Sequence, residues 1–304
     1  MRVCLMIEGQ EGVTWEDWVA LAGACEEHGL EGLFRSDHYS SIFSAGGADA
    51  LDAWTTIAAL SVVTGRIRLG TLVSPATFRH PSVVARMVAS ADHVSQGRVE
   101  LGVGAGWYER EHLQNGFPFL DARERFQLFA EHVELVVRHW TEERFDHDGR
   151  SYRLADANSL PRPLQRPHPP LILGGSAKPR SAALAARFAN EYNTVYATPD
   201  ECRARRDALS RACSDAGRDP ATLSFSLMTA CAIGSDRADA DDRLRRVLEL
   251  TGQAGPDPGW LAGTVDEVAA QLATLGEAGV ERVFLQHLDH RDLDAVALMG
   301  ELRG

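Results

Sequence analysis

The chain has 304 residues, 44% of them hydrophobic and 24% charged, and a formal net charge of −12 at pH 7. This composition is typical of a globular protein with a substantial buried core, and it excludes a disordered chain. The acidic balance argues against a nucleic-acid partner or an anionic membrane surface, because both require a basic face.

Short apolar runs alternate with amphipathic helices along the whole sequence. The predicted strands cover residues 2–7, 32–36, 67–72, 99–103, 170–173, 191–194, 224–229 and 282–286. The predicted helices cover residues 15–28, 50–64, 82–95, 122–140, 180–190, 199–216, 238–250 and 265–278. Eight near-continuous apolar strands, each followed by a helix, favour an α/β fold of the (β/α)8 TIM-barrel type over residues 1–304. A doubly wound parallel sheet is the alternative.

Three irregular segments interrupt this repeat, at residues 40–49, 145–169 and 253–263. The middle one lies in an insertion at about 141–169, and it contains a possible hairpin over residues 144–154 before a proline-rich return to the fifth strand. Long loops of a barrel either wall a site at its C-terminal face or decorate the surface, and the sequence leaves both interpretations open.

No apolar run approaches the roughly 18 residues of a membrane span, and Met1 to Ile7 is typical of a strand rather than a signal peptide. We therefore expect no membrane partner and a cytoplasmic location. The five cysteines are scattered without zinc-ligand spacing, which predicts small buried hydrophobic residues and no metal site. Lys178 is the only lysine, so a Schiff-base mechanism would depend on this one residue.

Asp37 and His38 follow the second predicted strand and should therefore lie at the C-terminal mouth of a barrel. A histidine beside a carboxylate can act there as acid, base or hydrogen-bond donor near neutral pH. A histidine that only satisfies the end of a strand is an equally good interpretation of these residues alone.

Two glycine-containing segments follow later strands. Gly174, Gly175 and Ser176 precede a helix that opens after Lys178, and their backbone amides, the helix dipole and the lysine together suit a phosphate group. A plain strand-to-helix turn would use the same residues. Residues 102–106 contain Gly-x-Gly but lack the third glycine of the dinucleotide fingerprint, so we do not predict a Rossmann domain.

Several motifs resemble those of the luciferase-like monooxygenase superfamily, and the similarity covers nearly the whole chain. They lie at residues 54–60, 66–71, 78–81, 95–102, 104–107, 263–268 and 278–283. Within that superfamily, Ser36-Asp37-His38 and Gly106-Trp107 most resemble the actinobacterial oxidoreductases that use the 5-deazaflavin coenzyme F420. The flavin-dependent monooxygenases, which use FMN, are the neighbouring branch.

The resemblance implies an (αβ)8 barrel, usually a homodimer, with the deazaflavin ring in its C-terminal mouth. It also implies a non-prolyl cis peptide bond between Leu72 and Val73, behind the ring. It places Asp37 and His38 at the reactive edge of the ring as candidate catalytic residues. The cofactor-binding residues that it implies, of which the last three hold the tail phosphate, are Asp37, His38, Thr71, Leu72, Val73, Gly104, Ala105, Gly106, Trp107, Gly174, Gly175 and Ser176.

The sequence departs from known members of the family in two places. Sugar-phosphate dehydrogenases have a glutamate directly after the glycine that aligns with Gly106, whereas this chain has Trp107. A tryptophan suits stacking better than proton transfer, which counts against sugar-phosphate oxidation. Glu109 and Glu111 are expected to be solvated charges on this loop. Near the sixth strand, the common Ala-Asp-Gly-Trp-Asn is altered at residues 189–193, which predicts a change in how the cofactor tail is held.

A deazaflavin carries hydride at its central carbon and does not form the oxygen adduct of a flavin monooxygenase, so we expect two-electron hydride transfer with a small organic substrate. The primary hypothesis is reduction of an activated C=C or C=N bond by reduced F420, with His38 as proton donor or orienting group and Asp37 tuning it. Alcohol oxidation with His38 as base is the reverse reaction. An FMN-dependent monooxygenase and a non-catalytic deazaflavin-binding barrel are the alternative hypotheses.

Overall fold

The computed structural model of the protein describes residues 1–44 and 46–302. Its strands are β1 (Arg2–Ile7), β2 (Gly32–Arg35), β3 (Arg68–Thr71), β4 (Ser74–Pro75), β5 (Val99–Gly104), β6 (Arg144–Asp148), β7 (Arg153–Asn158), β8 (Leu171–Gly174), β9 (Glu191–Val195), β10 (Ser224–Gly234), β11 (Leu261–Thr264) and β12 (Arg282–Gln286). Its α-helices are α1 (Trp15–Glu27), α2 (Ala53–Val63), α3 (Pro81–Ser95), α4 (Glu109–Asn115), α5 (Ala122–Thr141), α6 (Pro179–Phe188), α7 (Pro199–Asp215), α8 (Arg237–Thr251), α9 (Val265–Glu277) and α10 (Leu293–Glu301).

Eight of these strands form a closed parallel barrel. The hydrogen-bonded order is β1-β2-β3-β5-β8-β9-β10-β12, and β12 pairs with β1 to close the ring. Each of them is one of the predicted strands, so the TIM-barrel prediction is confirmed and the doubly wound sheet is excluded. Two short strands are additions to this barrel: β4 pairs with the end of β5, and β11 pairs with the outer half of β10.

Alternate residues of each strand point into the barrel or toward the helices. The interior contains an apolar cluster in which Phe34 and Phe284 meet edge to face, with ring centroids 4.8 Å apart. The opposite faces of the strands pack on the helices in a larger core. Helix α1 shows the spacing that produces this core, because Trp18, Leu21 and Cys25 are buried along one of its faces. Burial on both faces explains why the strands are continuous apolar runs in the sequence.

The N-terminal end of the barrel contains a buried ion cluster. Arg282, the first residue of β12, is 1% exposed and donates from Nη2 to Glu100 Oε2 at 2.7 Å. Its Nε lies 3.3 Å from Glu191 Oε1. Burial acts to raise the pKa of both carboxyls. At Glu100 the charges and hydrogen bonds of Arg282 and Arg68 outweigh burial, so the pKa of Glu100 is lowered. At Glu191 burial dominates, and the pKa of Glu191 is raised. This end of a TIM barrel serves stability rather than catalysis, so we assign the cluster to folding.

The structure differs from the predicted elements where local signals are weak. β11 lies partly inside the segment 253–263 that was expected to be irregular, because its four residues depend on pairing with β10. Helix α2 begins at Ala53 rather than at residue 50, since the Asp52 side chain accepts the Thr55 N–H at 2.9 Å and caps the helix there. Helices α4 and α10 were not predicted. The expected hairpin is present as antiparallel β6 and β7, and it extends to Asn158.

All five cysteines are buried and free, which confirms that they serve as small hydrophobic residues. Burial raises the pKa of the Cys231 thiol to about 12, so this thiol stays protonated near neutral pH. Among the helices in the described part of the chain, none combines the length and hydropathy that a membrane span requires.

Candidate active site

The predicted site residues lie at one edge of the barrel. Asp37 and His38 follow β2, the Leu72-Val73 pair follows β3, and Gly104 and Gly174 are the last residues of β5 and β8. These four strands are neighbours in the order β2-β3-β5-β8 and all run in the same direction. Because the carboxyl ends of parallel strands share an edge, the barrel brings these segments together at its C-terminal mouth.

The chain bulges between β3 and β4, where the Leu72-Val73 peptide bond is cis, as the resemblance implies. Val73 packs against both neighbouring glycines. A Cβ on Gly104 would lie 2.8 Å from Val73 Cγ2, and a Cβ on Gly174 would lie 3.7 Å from Val73 Cγ1. A Cβ on Gly102 would collide with the carbonyl oxygen of Thr71. Gly102 and Gly104 therefore serve close packing of the chain around the bulge.

His38 is held by a carboxylate from a distant part of the chain. Its Nδ1 lies 2.7 Å from Oε2 of Glu111, on helix α4, and the side chain of Glu111 is fully buried. The other oxygen of Glu111 accepts the backbone N–H groups of Tyr39 and Ser40, the second at 3.0 Å. The expectation that Glu111 is a solvated charge is therefore wrong, although Glu109 is exposed as expected. A glutamate whose two oxygens are both held by hydrogen bonds in this way fixes the orientation of the imidazole.

Asp37 has other partners than His38. Its Oδ2 accepts the hydroxyl of Ser74 at 2.6 Å and Nη1 of Arg79 at 2.5 Å. Arg79 also donates from Nη2 to Asp52 at 2.7 Å and to the Tyr39 hydroxyl at 2.6 Å. Burial acts to raise the pKa of Asp52, but the Thr55 N–H and Arg79 hold that pKa at about 2. Asp37 thus locks the loop after β2. Glu111 makes the hydrogen bond to His38, and the charge of Asp37 makes a smaller contribution to raising the pKa of His38.

The environment of His38 favours its protonated form. Burial acts to lower the pKa of the imidazole, but the hydrogen bond and charge of Glu111 outweigh burial and raise this pKa above its ordinary value. Nδ1 is the atom that faces Glu111, so Nε2 is the atom that remains to face a ligand; it makes no hydrogen bond within the described residues. An imidazole arranged in this way can donate a proton from Nε2 near neutral pH.

A second set of polar side chains at the mouth was missed in the sequence. Glu8, just after β1, accepts the amide of Gln286 at 2.5 Å and that of Gln10 at 2.9 Å. Ser36 donates to Gln10 at 2.5 Å, and the Tyr196 hydroxyl donates to Gln286 at 2.5 Å. The signal that could have found these residues is their position, because each lies at or just after the carboxyl end of a predicted strand.

Trp107 follows the end of β5 and is 61% exposed. Its ring stacks on Tyr108, with centroids 5.2 Å apart, and it meets the His38 ring edge-on at 6.0 Å. Helix α4, which begins two residues later, carries Glu111 and His112 back toward the barrel. Trp107 and the His38 imidazole are thus neighbours at the mouth.

The turn after β8 leads into helix α6, whose first turn has no side-chain cap. Gly175 has a φ of +155°, a backbone conformation that favours glycine. The Tyr192 hydroxyl accepts the N–H of Ala177 at 2.9 Å. Tyr192, one of the altered residues of the 189–193 segment, therefore braces this turn. Ser176 and Lys178 are exposed, and Lys178 precedes the helix without a side-chain cap on its first turn. Open first-turn amides beside a lysine are suited to an anion.

Comparisons with known proteins agree with this geometry. The model of the luciferase-like monooxygenase family matches residues 2–258. An F420-dependent glucose-6-phosphate dehydrogenase of Microbacterium testaceum (strain StLB037) is 35% identical over 196 residues, which are 64% of this chain and 57% of that protein. An FMNH(2)-dependent dimethylsulfone monooxygenase of Pseudomonas putida is 31% identical over 179 residues, which are 56% of this chain and 49% of that protein.

Among solved structures, monooxygenase RslO1 from Streptomyces bottropensis superposes with a TM-score of 0.86 at 25% identity, covering 99% of this chain and 97% of that chain. The chain spans about half the length of the curated relatives it matches. The family match, in contrast, extends from the first strand to the segment before β11. The protein therefore belongs to the luciferase-like monooxygenase family.

Proposed function

We propose that this protein is an F420-dependent oxidoreductase that transfers a hydride between the deazaflavin and a small organic substrate, acting in the direction that reduces an activated C=C or C=N bond. The observation that carries the proposal is the pair of His38 and Glu111, in which Glu111 bonds Nδ1 and Nε2 makes no hydrogen bond within the described residues. The Microbacterium testaceum relative, whose name includes F420, supports the choice of cofactor.

The residues at the mouth suit such a cofactor. The Leu72-Val73 bulge, packed on Gly104 and Gly174, offers an apolar floor for a planar ring. The uncapped first turn of α6 and the exposed Lys178 supply N–H donors and a positive charge for a tail phosphate. Under this proposal, Thr71 to Val73, Gly104 to Gly106 and Gly174 to Ser176 hold the cofactor.

The chain's own residues would carry the proton. Bound reduced F420 supplies a hydride from the central carbon of its ring. His38 donates a proton from Nε2 to the neighbouring substrate atom, and Glu111 stabilises the imidazolium before transfer. Asp37, held by Arg79 and Ser74, fixes the loop that carries His38. If hydride transfer runs from substrate to cofactor, as in the oxidation of an alcohol to a carbonyl compound, the neutral imidazole accepts the hydroxyl proton.

Titration of the purified protein with each cofactor tests the assignment. We expect F420 to bind more tightly than FMN, an expectation supported by the Microbacterium testaceum relative, whose name includes F420. Fluorescence quenching of each cofactor gives the two Kd values. Tight FMN binding without F420 binding would instead support an FMN-dependent monooxygenase, the second candidate, which the Pseudomonas putida relative favours. F420 binding without turnover of any electron donor or acceptor would instead support the other alternative, a non-catalytic barrel that binds the deazaflavin.

We also propose that the protein is a homodimer, as its resemblance implies. A groove of about 610 Å³ between helices α2 and α3 is lined largely by apolar side chains, and Val62 and Val83 beside it are exposed. An apolar groove of this size marks an interaction surface. Sedimentation should give twice the 33.2 kDa chain mass. Val83→Asp should yield monomers, while Val19→Asp on α1, which is also exposed, should not. A monomeric wild type would refute the proposal.

A further inference from the structure

Trp107 is a large aromatic side chain that the fold presents to solvent beside His38. Its exposed fraction is 61%, although Tyr108 covers one of its faces by stacking at 5.2 Å. A tryptophan contributes more apolar surface than any other residue, and leaving it uncovered next to a proton donor gives up that stabilisation. An exposed aromatic face in this position indicates a ligand that covers it.

The loop that carries Trp107 is rigidly held, so the exposed ring is not a consequence of a loose segment. Gly106 has a φ of +79° and packs on Thr77 and His112. Nδ1 of His112 bonds the carbonyl of Tyr108 at 2.7 Å, and Nε2 of His112 bonds the Thr77 hydroxyl at 2.7 Å. The Tyr108 hydroxyl donates to the carbonyl of Ser41 at 3.2 Å. The stacking surface is therefore built in advance of binding, which lowers the entropic cost of using it.

Distance assigns this surface to the substrate. The ring centroids of Trp107 and His38 are 6.0 Å apart, with an interplanar angle of 80°. A substrate atom that takes a proton from Nε2 must lie about 3 Å from that nitrogen. The 6.0 Å between the rings is short enough for a planar group attached to such an atom to reach the indole. The cofactor ring, in contrast, has its own apolar floor at Val73.

Charge excludes anionic substrates from the same place. The guanidinium of Arg79 is committed to two carboxylates, through Nη1 to Asp37 at 2.5 Å and through Nη2 to Asp52 at 2.7 Å. The charge of a protonated His38 is matched by Glu111 at 2.7 Å. A phosphate placed here would lie beside cations whose charge is already neutralised by carboxylates, so the free energy of desolvating the phosphate would not be offset by an ion pair.

We propose that Trp107 is the specificity-determining residue for a neutral substrate that carries an aryl or similarly conjugated planar group next to the bond that is reduced, and that sugar phosphates are not substrates. This inference rests on the proposed function and names the substrate class for the same site. The family resemblance implies that Trp107 contacts the cofactor, whereas this inference assigns Trp107 to the substrate.

Direct binding tests the inference without requiring turnover. 4-Phenylbut-3-en-2-one, which is planar and neutral, is titrated calorimetrically into the protein saturated with oxidised F420, with cyclohex-2-enone and glucose 6-phosphate as comparison ligands. We expect Trp107→Ala to weaken binding of the aryl enone about tenfold, Trp107→Phe to restore most of it, and the Kd of F420 to stay within twofold. Leu113→Ala, at an exposed apolar residue of the adjacent helix, is the matched control and should bind like the wild type.

Three outcomes would overturn the inference. The first is equal binding of the aryl enone by the wild type and Trp107→Ala. The second is an increase in the Kd of F420 beyond twofold in Trp107→Ala. The third is tighter binding of glucose 6-phosphate than of the aryl enone by the wild type. Failure of the proposed function has a different signature, since it would appear as absent F420 binding, or as a bound aryl enone that reduced F420 does not convert. Where conversion occurs, Trp107→Ala should raise KM for the aryl enone and leave KM for cyclohex-2-enone nearly unchanged.

Discussion

Replacing His38 with alanine is expected to slow F420-dependent reduction about 10²- to 10⁴-fold, the usual contribution of one positioned general acid. His38 is the candidate proton donor because its Nδ1 is occupied by Glu111, its Nε2 makes no hydrogen bond within the described residues, and it follows β2 at the mouth of the barrel. The side chain is small compared with the cofactor ring and lies at the edge of the site, so the Kd of F420 should change less than threefold. Single-turnover rates and fluorescence titration measure the two quantities separately. An unchanged rate would show that His38 has no role in proton transfer.

Glu111→Gln extends this prediction to pH. The bond and charge of Glu111 raise the pKa of His38, so the imidazolium persists to higher pH than it would alone, and reduction should slow as pH rises through that pKa. Glutamine removes the charge but keeps a hydrogen-bonding oxygen, so the descending limb of the rate profile should move to lower pH with modest loss of rate at acid pH. Glu109→Gln, at the exposed neighbour, is the control and should leave the profile in place. A limb that does not move in Glu111→Gln would contradict the pairing.

Replacing Arg282 with methionine is expected to destabilise the barrel by about 3–5 kcal/mol, the cost of removing one partner from a buried ion pair. The guanidinium of Arg282 lies between Glu100 and Glu191, and it also lies over the rings of Phe34 and Phe284, at 5.1 and 4.5 Å from their centroids. Without it, both carboxyls are buried at the N-terminal end of the barrel with no cation of comparable burial. Urea denaturation followed by circular dichroism gives the free energy of unfolding.

Two further variants identify the cause of this loss. Arg153→Met, which breaks an ion pair with Asp148 whose side chains are both 84% exposed, should leave the unfolding midpoint nearly unchanged. Combining Arg282→Met with Glu100→Gln and Glu191→Gln removes the buried negative charges and should recover part of the lost stability. If Arg282→Met were as stable as the wild type, or if the triple variant were less stable than the single one, uncompensated charge would not be the reason.

The glycines after β5 and β8 show how far sequence reasoning reached at the site. Their position at a strand end correctly indicated the mouth of the barrel, because the carboxyl ends of parallel strands share one edge whatever the loops do. Their purpose was not visible, because it depends on Val73, which lies in the bulge between β3 and β4 and fills the space beside Gly104. A glycine in a strand indicates that another group approaches the backbone closely, but only the tertiary structure shows which group that is.

The sequence by itself determined the eight barrel strands, the helices that follow most of them, and the edge on which Asp37, His38 and the glycines lie. These follow from apolar periodicity and strand direction, which are local properties of the chain. The tertiary structure alone decided that Glu111, which is 73 residues from His38, is the carboxylate that bonds it, and that Asp37 pairs with Arg79 instead. The tertiary structure also decided that residues 261–264 form strand β11, because this strand depends on pairing with β10. Partners of this kind depend on how distant segments meet in space, and no local pattern of residues records that meeting.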